Sequence, residues 1–239
     1  MEILYRIICV VIGYIFGMFQ TGYIYGKLHH IDIRDYGSHN SGTTNVSRIF
    51  GKKVGTLTYF VDAIKGVLAI LLVRLLCNLN VIDLSLAADA DAFLYILALY
   101  TGIGVVLGHN YPFYMGFKGG KGIAATAGLI LSFHPYFIVM GVVLFFGAFL
   151  TTHYVSLGSL LVYAGFMIQM VVCGQMGLFG AMPQSQLYEM YAITAFLTAM
   201  AYWKHRQNIV RLLHGNERNT YLFKKKATEA QTEISGEDK

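Results

Sequence analysis

Twelve consecutive residues, from Gly37 to Arg48, carry small hydroxyl and amide side chains together with two glycines and one arginine. Glycine permits backbone conformations that turn several N–H groups toward one point, and serine, threonine and asparagine add further donors. Arg48 offers a planar guanidinium that can bind a phosphate through two parallel hydrogen bonds. The composition therefore favours a phosphate site, although an ordinary flexible loop has a similar composition.

A second stretch, residues 108–122, reads GHNYPFYMGFKGGKG and leads into a predicted helix. Glycines and lysines at a helix N-terminus can bind an anion through unpaired N–H groups and the helix dipole. Nucleotide hydrolysis is not predicted, because Gly122 stands where serine or threonine follows Gly-Lys in a Walker A loop, and Met115 stands where its first glycine belongs. A re-entrant glycine hinge with interfacial lysines remains the alternative.

A third polar stretch, residues 204–217, reads KHRQNIVRLLHGNE and is predicted to continue the last apolar helix. His205 and Asn208 are three residues apart and therefore share one face of a helix, with Arg211 three residues further on. Taken alone, this stretch fits a basic helix beside a membrane equally well.

Two smaller patterns also combine an acid with a base. Asp62 and Lys65 lie inside an apolar segment, where their i, i+3 spacing lets them pair, so mutual neutralisation and substrate contact both remain open. His30 and Asp35 have the spacing by which soluble acyl-CoA acyltransferases place a histidine base beside an orienting aspartate. So short a pattern also arises easily by chance.

The elements that position these residues are apolar. The chain has 239 residues, 56% of them hydrophobic and 13% charged, with a mean hydropathy of +0.54. This is more apolar side chain than a soluble domain buries, so the sequence predicts an all-α, polytopic integral membrane protein of about seven transmembrane helices. The first apolar segment is too long for a signal-peptide core and lacks a cleavage site, which predicts a retained span. The candidate segments lie near residues 3–26, 54–77, 92–108, 122–133, 135–152, 154–173 and 187–203.

Basic residues predict the orientation. Lysine and arginine gather in the connections at 27–53 and 109–121 and after Trp203, whereas the connections at 78–91 and 174–186 contain neither. By the positive-inside rule, the N-terminus is outside and the C-terminus is cytoplasmic, as an odd number of crossings requires. Because topology accounts for the net charge of +5, no nucleic-acid partner is predicted.

The remaining composition predicts a membrane domain at 1–223, followed by a disordered cytoplasmic tail at 224–239. The three cysteines, Cys9, Cys77 and Cys173, are odd in number and show no CxxC spacing. Neither disulfides nor a metal site is therefore predicted.

The polar stretches together resemble the bacterial membrane acyl-phosphate:glycerol-3-phosphate acyltransferases, the PlsY family. The matching elements are GSxNxGxTNVxR at 37–48, DxxKG at 62–66, GHxxPFxxGFKGGKG at 108–122 and HxxNxxRLxxGxE at 205–217. Their order and spacing cover most of the chain apart from the tail.

The resemblance implies transfer of an acyl group from acyl phosphate to the sn-1 hydroxyl of glycerol 3-phosphate, the first step of phospholipid synthesis. The products are 1-acyl-sn-glycerol 3-phosphate (lysophosphatidic acid) and phosphate. It also implies a multi-pass protein of the bacterial plasma (inner) membrane whose active site faces the cytoplasm. We expect neither a cofactor nor a protein nucleophile, because the mixed anhydride is already activated and no GxSxG elbow is present.

The resemblance also assigns roles to residues. Ser38, Lys121, His205 and Asn208 are implied as catalytic, with His205 the candidate general base and a phosphate oxygen of the donor the alternative. The backbone N–H groups of residues 119–122 are expected to stabilise the oxyanion and the leaving phosphate. The implied substrate-binding residues are Ser38, Asn40, Thr44, Asn45, Arg48, His109, Lys118, Gly119, Gly120, Lys121, Gly122, His205 and Asn208.

Two other functions fit parts of the sequence. The intramembrane Asp62 and Lys65 suggest a transporter of phosphorylated metabolites, but transporters place their sites near the midplane, whereas the polar stretches here gather on one side. A scaffold whose basic loops bind anionic lipid leaves the clustered glycine, asparagine and threonine residues unexplained.

Overall fold

A computed structural model describes residues 2–85 and 89–220, and this part of the chain contains helices and no strands. The all-α prediction is confirmed, while the predicted tail at 224–239 and its boundary lie outside the described residues. The helices are α1 (Glu2–Gly17), α2 (Thr21–Leu28), α3 (Thr43–Phe50), α4 (Lys52–Asn78), α5 (Ala90–Asn110), α6 (Ile123–Phe133), α7 (Pro135–Thr152), α8 (Val155–Gln175), α9 (Gln184–Lys204) and α10 (Arg206–Leu213). Short 3₁₀ turns occupy Ile33–Asp35 and Phe113–Met115.

Four described segments are long and apolar enough to cross a membrane, judged by length and composition: Glu2–Leu28, Ala90–Met115, Pro135–Thr152 and Val155–Gln175. A shorter apolar helix occupies Ile123–Phe133. Helices α4 and α9, which the sequence also predicts as spans, are 27 and 21 residues long. The count of about seven crossings and the orientation of the termini stay predictions.

The first apolar segment, predicted as a span at 3–26, contains a break that the sequence did not indicate. Helix α1 ends at Gly17 and α2 begins at Thr21. The ammonium of Lys65 on α4 donates to the carbonyl oxygens of Gly17 and Phe19 at 3.0 and 2.5 Å. Carbonyls at a helix C-terminus lack intrahelical partners, and a cation there also offsets the helix dipole. A tertiary contact therefore stabilises a break that hydropathy does not reveal.

Helices α1 and α5 pack closely because glycine faces glycine. Gly13 and Gly17 on α1 lie against α5, and Gly104 and Gly108 on α5 lie against α1. A Cβ at any of these positions would overlap the backbone of the other helix. Small residues spaced by four let two membrane helices approach closely. This packing places the C-terminal end of α5, with His109, beside the break between α1 and α2.

The third polar stretch is not one continuous helix. Helix α9 ends at Lys204 and α10 begins at Arg206, so His205 lies at the junction between them. After α10, Gly215 adopts a left-handed conformation with φ of +68°. The chain then returns along α10 and brings Glu217 within 2.8 Å of Arg211.

Candidate active site

The loop at residues 33–45 folds around the buried side chain of Asn45. Its amide nitrogen donates to the carbonyl oxygens of Ile33 and Tyr36 at 3.2 and 3.0 Å. Its Oδ1 accepts the backbone N–H of Ser38 at 2.8 Å. Asn45 was predicted to bind substrate, but its side chain bonds to backbone groups. Through one of these bonds it positions Ser38, whose side chain is exposed.

The other predicted residues of this loop flank α3. Asn40 accepts from the N–H of Gly42 at 2.9 Å, just before the helix begins. Thr44 is half-buried in the first turn and Arg48 is exposed in the last turn. Nη2 of Arg48 lies 3.5 Å from the hydroxyl oxygen of Thr220, which brings the end of α3 beside the segment that follows α10.

Two side chains join this loop to the glycine-rich stretch. Nη1 of Arg34 donates to the carbonyl oxygen of Met115 at 2.8 Å. Gln20, in the break between α1 and α2, accepts from the hydroxyl of Ser41 at 3.1 Å and donates to the carbonyl of His109 at 2.7 Å. Gln20 is absent from the predicted site, and a lone amide at the end of an apolar run is the signal that could have found it.

The glycine-rich stretch makes a tight turn before α6. Gly116 and Gly122 have φ of +63° and +82°, in the left-handed region that favours glycine. The first intrahelical bond of α6 runs from the N–H of Thr126 to the carbonyl of Gly122 at 2.8 Å. The N–H groups of residues 123–125 therefore lack acceptors inside the helix, as an anion site requires.

Two N–H groups of the turn are used inside it. The N–H groups of Gly119 and Gly120 donate to the carbonyl oxygens of Asn110 and His109 at 3.1 and 3.0 Å. These two N–H groups are therefore not available to an oxyanion. Of the four expected at residues 119–122, only those of Lys121 and Gly122 remain, together with the N–H groups at the start of α6.

Lys121 projects from this turn onto α10. Its Nζ donates to Oδ1 of Asn208, and Nδ2 of Asn208 donates to a carboxylate oxygen of Glu217 at 2.7 Å. Arg211 and Ser156 also donate to this carboxylate, at 2.8 and 3.1 Å. The second and third polar stretches, remote in sequence, therefore form one cluster.

Glu217 organises this cluster, although the sequence assigned it no role. Its side chain is 6% exposed. Burial raises the pKa of this carboxyl, but hydrogen bonds from Asn208, Arg211 and Ser156 outweigh that effect and hold the pKa below its usual value. The ionised carboxylate fixes the amide of Asn208 so that its oxygen faces Lys121. The signal for this role was its place in the third motif.

The ammonium of Lys121 is perturbed by its surroundings. Burial lowers its pKa to about 8, the nearby carboxylate of Glu217 raises it, and the positive charges of Arg211, Arg48 and Lys204 lower it again. Arg48 is therefore close enough to act on Lys121 electrostatically. An excess of positive charge at this point favours an anionic ligand.

His205 is buried, at 2% exposure, at the α9–α10 junction. Its Nδ1 lies 2.8 Å from the carbonyl oxygen of Ala201. Because a carbonyl only accepts, Nδ1 carries the proton and Nε2 keeps its lone pair. Burial, followed by the charge of Lys121, lowers the pKa of His205 to about 4. The imidazole is therefore neutral near pH 7 and can accept a proton at Nε2.

Other candidate residues lie outside this cluster. The side chain of Lys118 is exposed, and His109 is buried with its Nδ1 2.9 Å from Nζ of Lys65. His30 and Asp35 are both exposed, and no hydrogen bond joins their side chains within residues 2–85. Across the described parts of the chain, no group of three histidine, cysteine, aspartate or glutamate residues could hold a metal ion.

Comparison with known proteins shows the family to which the chain belongs. Residues 7–215 match the protein-family model described as Glycerol-3-phosphate acyltransferase. A glycerol-3-phosphate acyltransferase of Clostridioides difficile (strain 630) is 38% identical over 91% of this chain and 97% of the relative. One of Halalkalibacterium halodurans (strain ATCC BAA-125) is 36% identical over 92% of this chain and 97% of its own length.

Solved structures agree in fold. A crystal structure of PlsY, an integral membrane glycerol 3-phosphate acyltransferase, in its glycerol 3-phosphate form has a TM-score of 0.71 and 30% identity, covering 90% of this chain and 96% of that one. Its lysophosphatidic acid form has a TM-score of 0.67 over 90% of this chain and 95% of that one. The protein is therefore an integral membrane acyltransferase, and the chain belongs to the glycerol-3-phosphate acyltransferase family.

Proposed function

We propose that this protein transfers an acyl group from acyl phosphate to the sn-1 hydroxyl of glycerol 3-phosphate. The products are 1-acyl-sn-glycerol 3-phosphate and inorganic phosphate. The observation that carries the proposal is the cluster in which Lys121 bonds to Asn208 beside a neutral His205. It combines a cation for phosphate with a base for a hydroxyl, and both are needed for this reaction.

Both substrates bring phosphate, and the site has cationic groups for it. Arg48 and Lys121 lie close enough to interact electrostatically, and the start of α6 adds N–H donors. Arg48 is suited to grip a phosphate with its planar fork, whereas the ammonium of Lys121 acts as a point charge. The loop residues Ser38, Asn40 and Thr44 add hydroxyl and amide groups to the binding surface.

The transfer is a direct displacement. The glycerol hydroxyl oxygen attacks the acyl carbonyl carbon, and the bond from that carbon to the phosphate oxygen breaks. The phosphate leaves with the bonding electron pair. The hydroxyl proton passes to Nε2 of His205 or to a phosphate oxygen of the donor. Lys121 and the N–H groups at the start of α6 stabilise the developing negative charge.

The reaction needs a site at the membrane surface. The donor has a fatty chain that stays in lipid, while glycerol 3-phosphate comes from water, so the site belongs at the boundary between the two. The basic connections favour the cytoplasmic face of the bacterial plasma membrane. Family membership in the acyltransferases favours this function over the transport of phosphorylated metabolites.

The test supplies purified full-length protein with labelled glycerol 3-phosphate and either an acyl phosphate or an acyl-CoA. Lysophosphatidic acid is expected from acyl phosphate alone, with the ester at sn-1. Turnover with acyl-CoA alone would contradict the proposed donor, and an sn-2 ester would contradict the proposed position. No acylation with either donor would contradict the proposed function.

A further inference from the structure

Asp62 and Lys65 on α4 form a buried ion pair away from the proposed chemistry. Nζ of Lys65 lies 3.1 Å from Oδ1 of Asp62, and the two residues are 5% and 1% exposed. The hydroxyl of Thr21 donates to the same carboxylate oxygen at 3.1 Å. Burying two charges costs free energy that their attraction does not reliably return. The pair is therefore better explained by the geometry that it imposes than by stability.

Lys65 spends its donors on the protein. Besides Asp62, its Nζ contacts the carbonyl oxygens of Gly17 and Phe19 and lies 2.9 Å from Nδ1 of His109. A protonated lysine only donates, so Nδ1 of His109 accepts and the ring proton is on Nε2. The ammonium has three N–H groups and four acceptors of the protein around it, so no N–H group is left to bind a phosphate.

The glycine turn packs directly against His109. A Cβ on Gly120 would overlap the imidazole ring, and a Cβ on Gly119 would overlap the carbonyl oxygen of His109 and the ring of Pro112. That carbonyl also accepts the N–H of Gly120 at 3.0 Å and Nε2 of Gln20 at 2.7 Å. Moving His109 therefore moves the turn, and with it the next residue in the chain, Lys121.

We propose that Lys65, paired with Asp62, is a positioning residue for acyl transfer: it fixes His109, against which the glycine turn packs, and so sets the place of Lys121. This inference rests on the proposed function and deepens it, since it names residues that act on the reaction without touching a substrate. The ammonium of Lys65 also bonds to the carbonyls in the break between α1 and α2. One group therefore holds both this break and the glycine turn in place.

The decisive variant is the double substitution Asp62→Asn with Lys65→Met. Removing both charges avoids leaving one of them buried and unpaired. A matched control is Arg74→Met on the same helix, where Nη2 donates to the carbonyl of Ser132 at 2.9 Å, away from the turn. Each protein is compared with the unaltered chain in thermal midpoint, in kcat and KM for glycerol 3-phosphate, and in the rate of tryptic cleavage after Lys118.

We expect the neutral pair to lower kcat about 30-fold and to speed cleavage after Lys118 about tenfold, because the exposed turn loses its support. Arg74→Met is expected to lower the thermal midpoint while keeping both of the other measurements near those of the unaltered chain. Retention of kcat and of the cleavage rate in the neutral pair would overturn the proposal. Equal losses in Arg74→Met would also overturn it, since they would show general loosening.

If the double variant Asp62→Asn, Lys65→Met cannot be produced, a second variant tests the same proposal. His109→Ala removes the surface beneath the turn but leaves Lys65 three of its acceptors, so no charge is left unpaired. It is expected to show the same cleavage and the same loss of kcat, and unchanged values would overturn the proposal. Cleavage needs no substrate, so it tests positioning separately from the proposed function, which the acylation assay on the unaltered chain tests.

Discussion

Two polar clusters in this protein each contain a lysine beside a short polar side chain, and they differ in whether that side chain is charged. Lys65 faces the carboxylate of Asp62 at 3.1 Å, so its charge is neutralised within the protein. Lys121 faces the neutral amide of Asn208. An amide oxygen orients an ammonium without cancelling its charge, which leaves Lys121 attractive to an anion.

The histidines of the two clusters differ in the same way. Nδ1 of His109 accepts from Lys65, so its lone pair is used. Nδ1 of His205 donates to the carbonyl of Ala201, so its remaining lone pair is on Nε2. The same residue types therefore form a buried supporting pair in one place and the proposed reactive site in the other, and their hydrogen-bond partners make the difference.

The largest effect is expected from His205→Ala. Loss of a positioned general base lowers kcat by about 1000-fold, with a smaller change in KM. The matched control is His30→Ala, whose imidazole is exposed and lies outside the cluster. Steady-state kinetics with acyl phosphate measure both. If His30→Ala abolished activity while His205→Ala did not, the assignment would be wrong, and full activity in His205→Ala would favour the phosphate oxygen as base.

A smaller effect is expected from Glu217→Gln. The variant keeps the shape of the side chain but removes the charge that orients Asn208 and pairs with Arg211, and we expect kcat/KM for glycerol 3-phosphate to fall about 30-fold. A suitable control is Glu189→Gln, which removes a carboxylate bonded to Arg6 at 2.6 Å elsewhere in the protein. An equal fall in the control would show that the loss comes from stability and not from the site.

The protonation of Lys121 predicts an alkaline limit to activity. Its pKa is lowered to about 8 by burial, so the ammonium is charged below that pH and neutral above it. We expect kcat/KM for glycerol 3-phosphate to fall about tenfold between pH 7 and pH 9. His205, with a pKa of about 4, stays neutral across that range, so its titration does not change activity between pH 7 and pH 9.

A variant isolates the group responsible. In Lys121→Arg the guanidinium stays protonated throughout, so the remaining activity should lose its alkaline limb. Persistence of the limb in this variant, or its absence from the unaltered chain, would contradict the assignment to Lys121.

The sequence predicted the helices well because apolar runs determine them. The segments expected at 135–152 and 154–173 occur at Pro135–Thr152 and Val155–Gln175. The run at 3–26 was predicted as a span, and Glu2–Leu28 is long and apolar enough to be one, but the sequence did not reveal the break inside it, where Lys65 of another helix bonds to the carbonyl of Gly17. Average hydropathy contains no information about that contact.

The candidate site was predictable where a motif contains the residue itself, and not where a residue distant in the sequence holds it in place. The sequence named Lys121, His205 and Asn208, and the structure brings these residues together. It gave no role to Gln20, whose partner His109 is 89 residues away, and it did not predict the contact between Glu217 and Ser156, 61 residues away. Such supporting contacts are set by how the helices pack, which spacing along the chain does not encode.

The smallest expected effect tests how far the reactive cluster extends. Ser156 donates one of the hydrogen bonds to Glu217, at 3.1 Å, and the bonds from Asn208 and Arg211 remain without it. Because the carboxylate stays paired, Ser156→Ala should lower kcat/KM by only about threefold. Ser159→Ala is the control, since that hydroxyl donates to the carbonyl of Val155 on its own helix and should change nothing.

A loss in Ser156→Ala as large as that in Glu217→Gln would contradict this boundary. Ser156 would then act on the substrate itself and not through the carboxylate. The double variant separates the two cases, because residues that act through one shared group give losses that do not multiply. If Ser156 works only by orienting Glu217, its removal should cost nothing further once Glu217 has been replaced by glutamine.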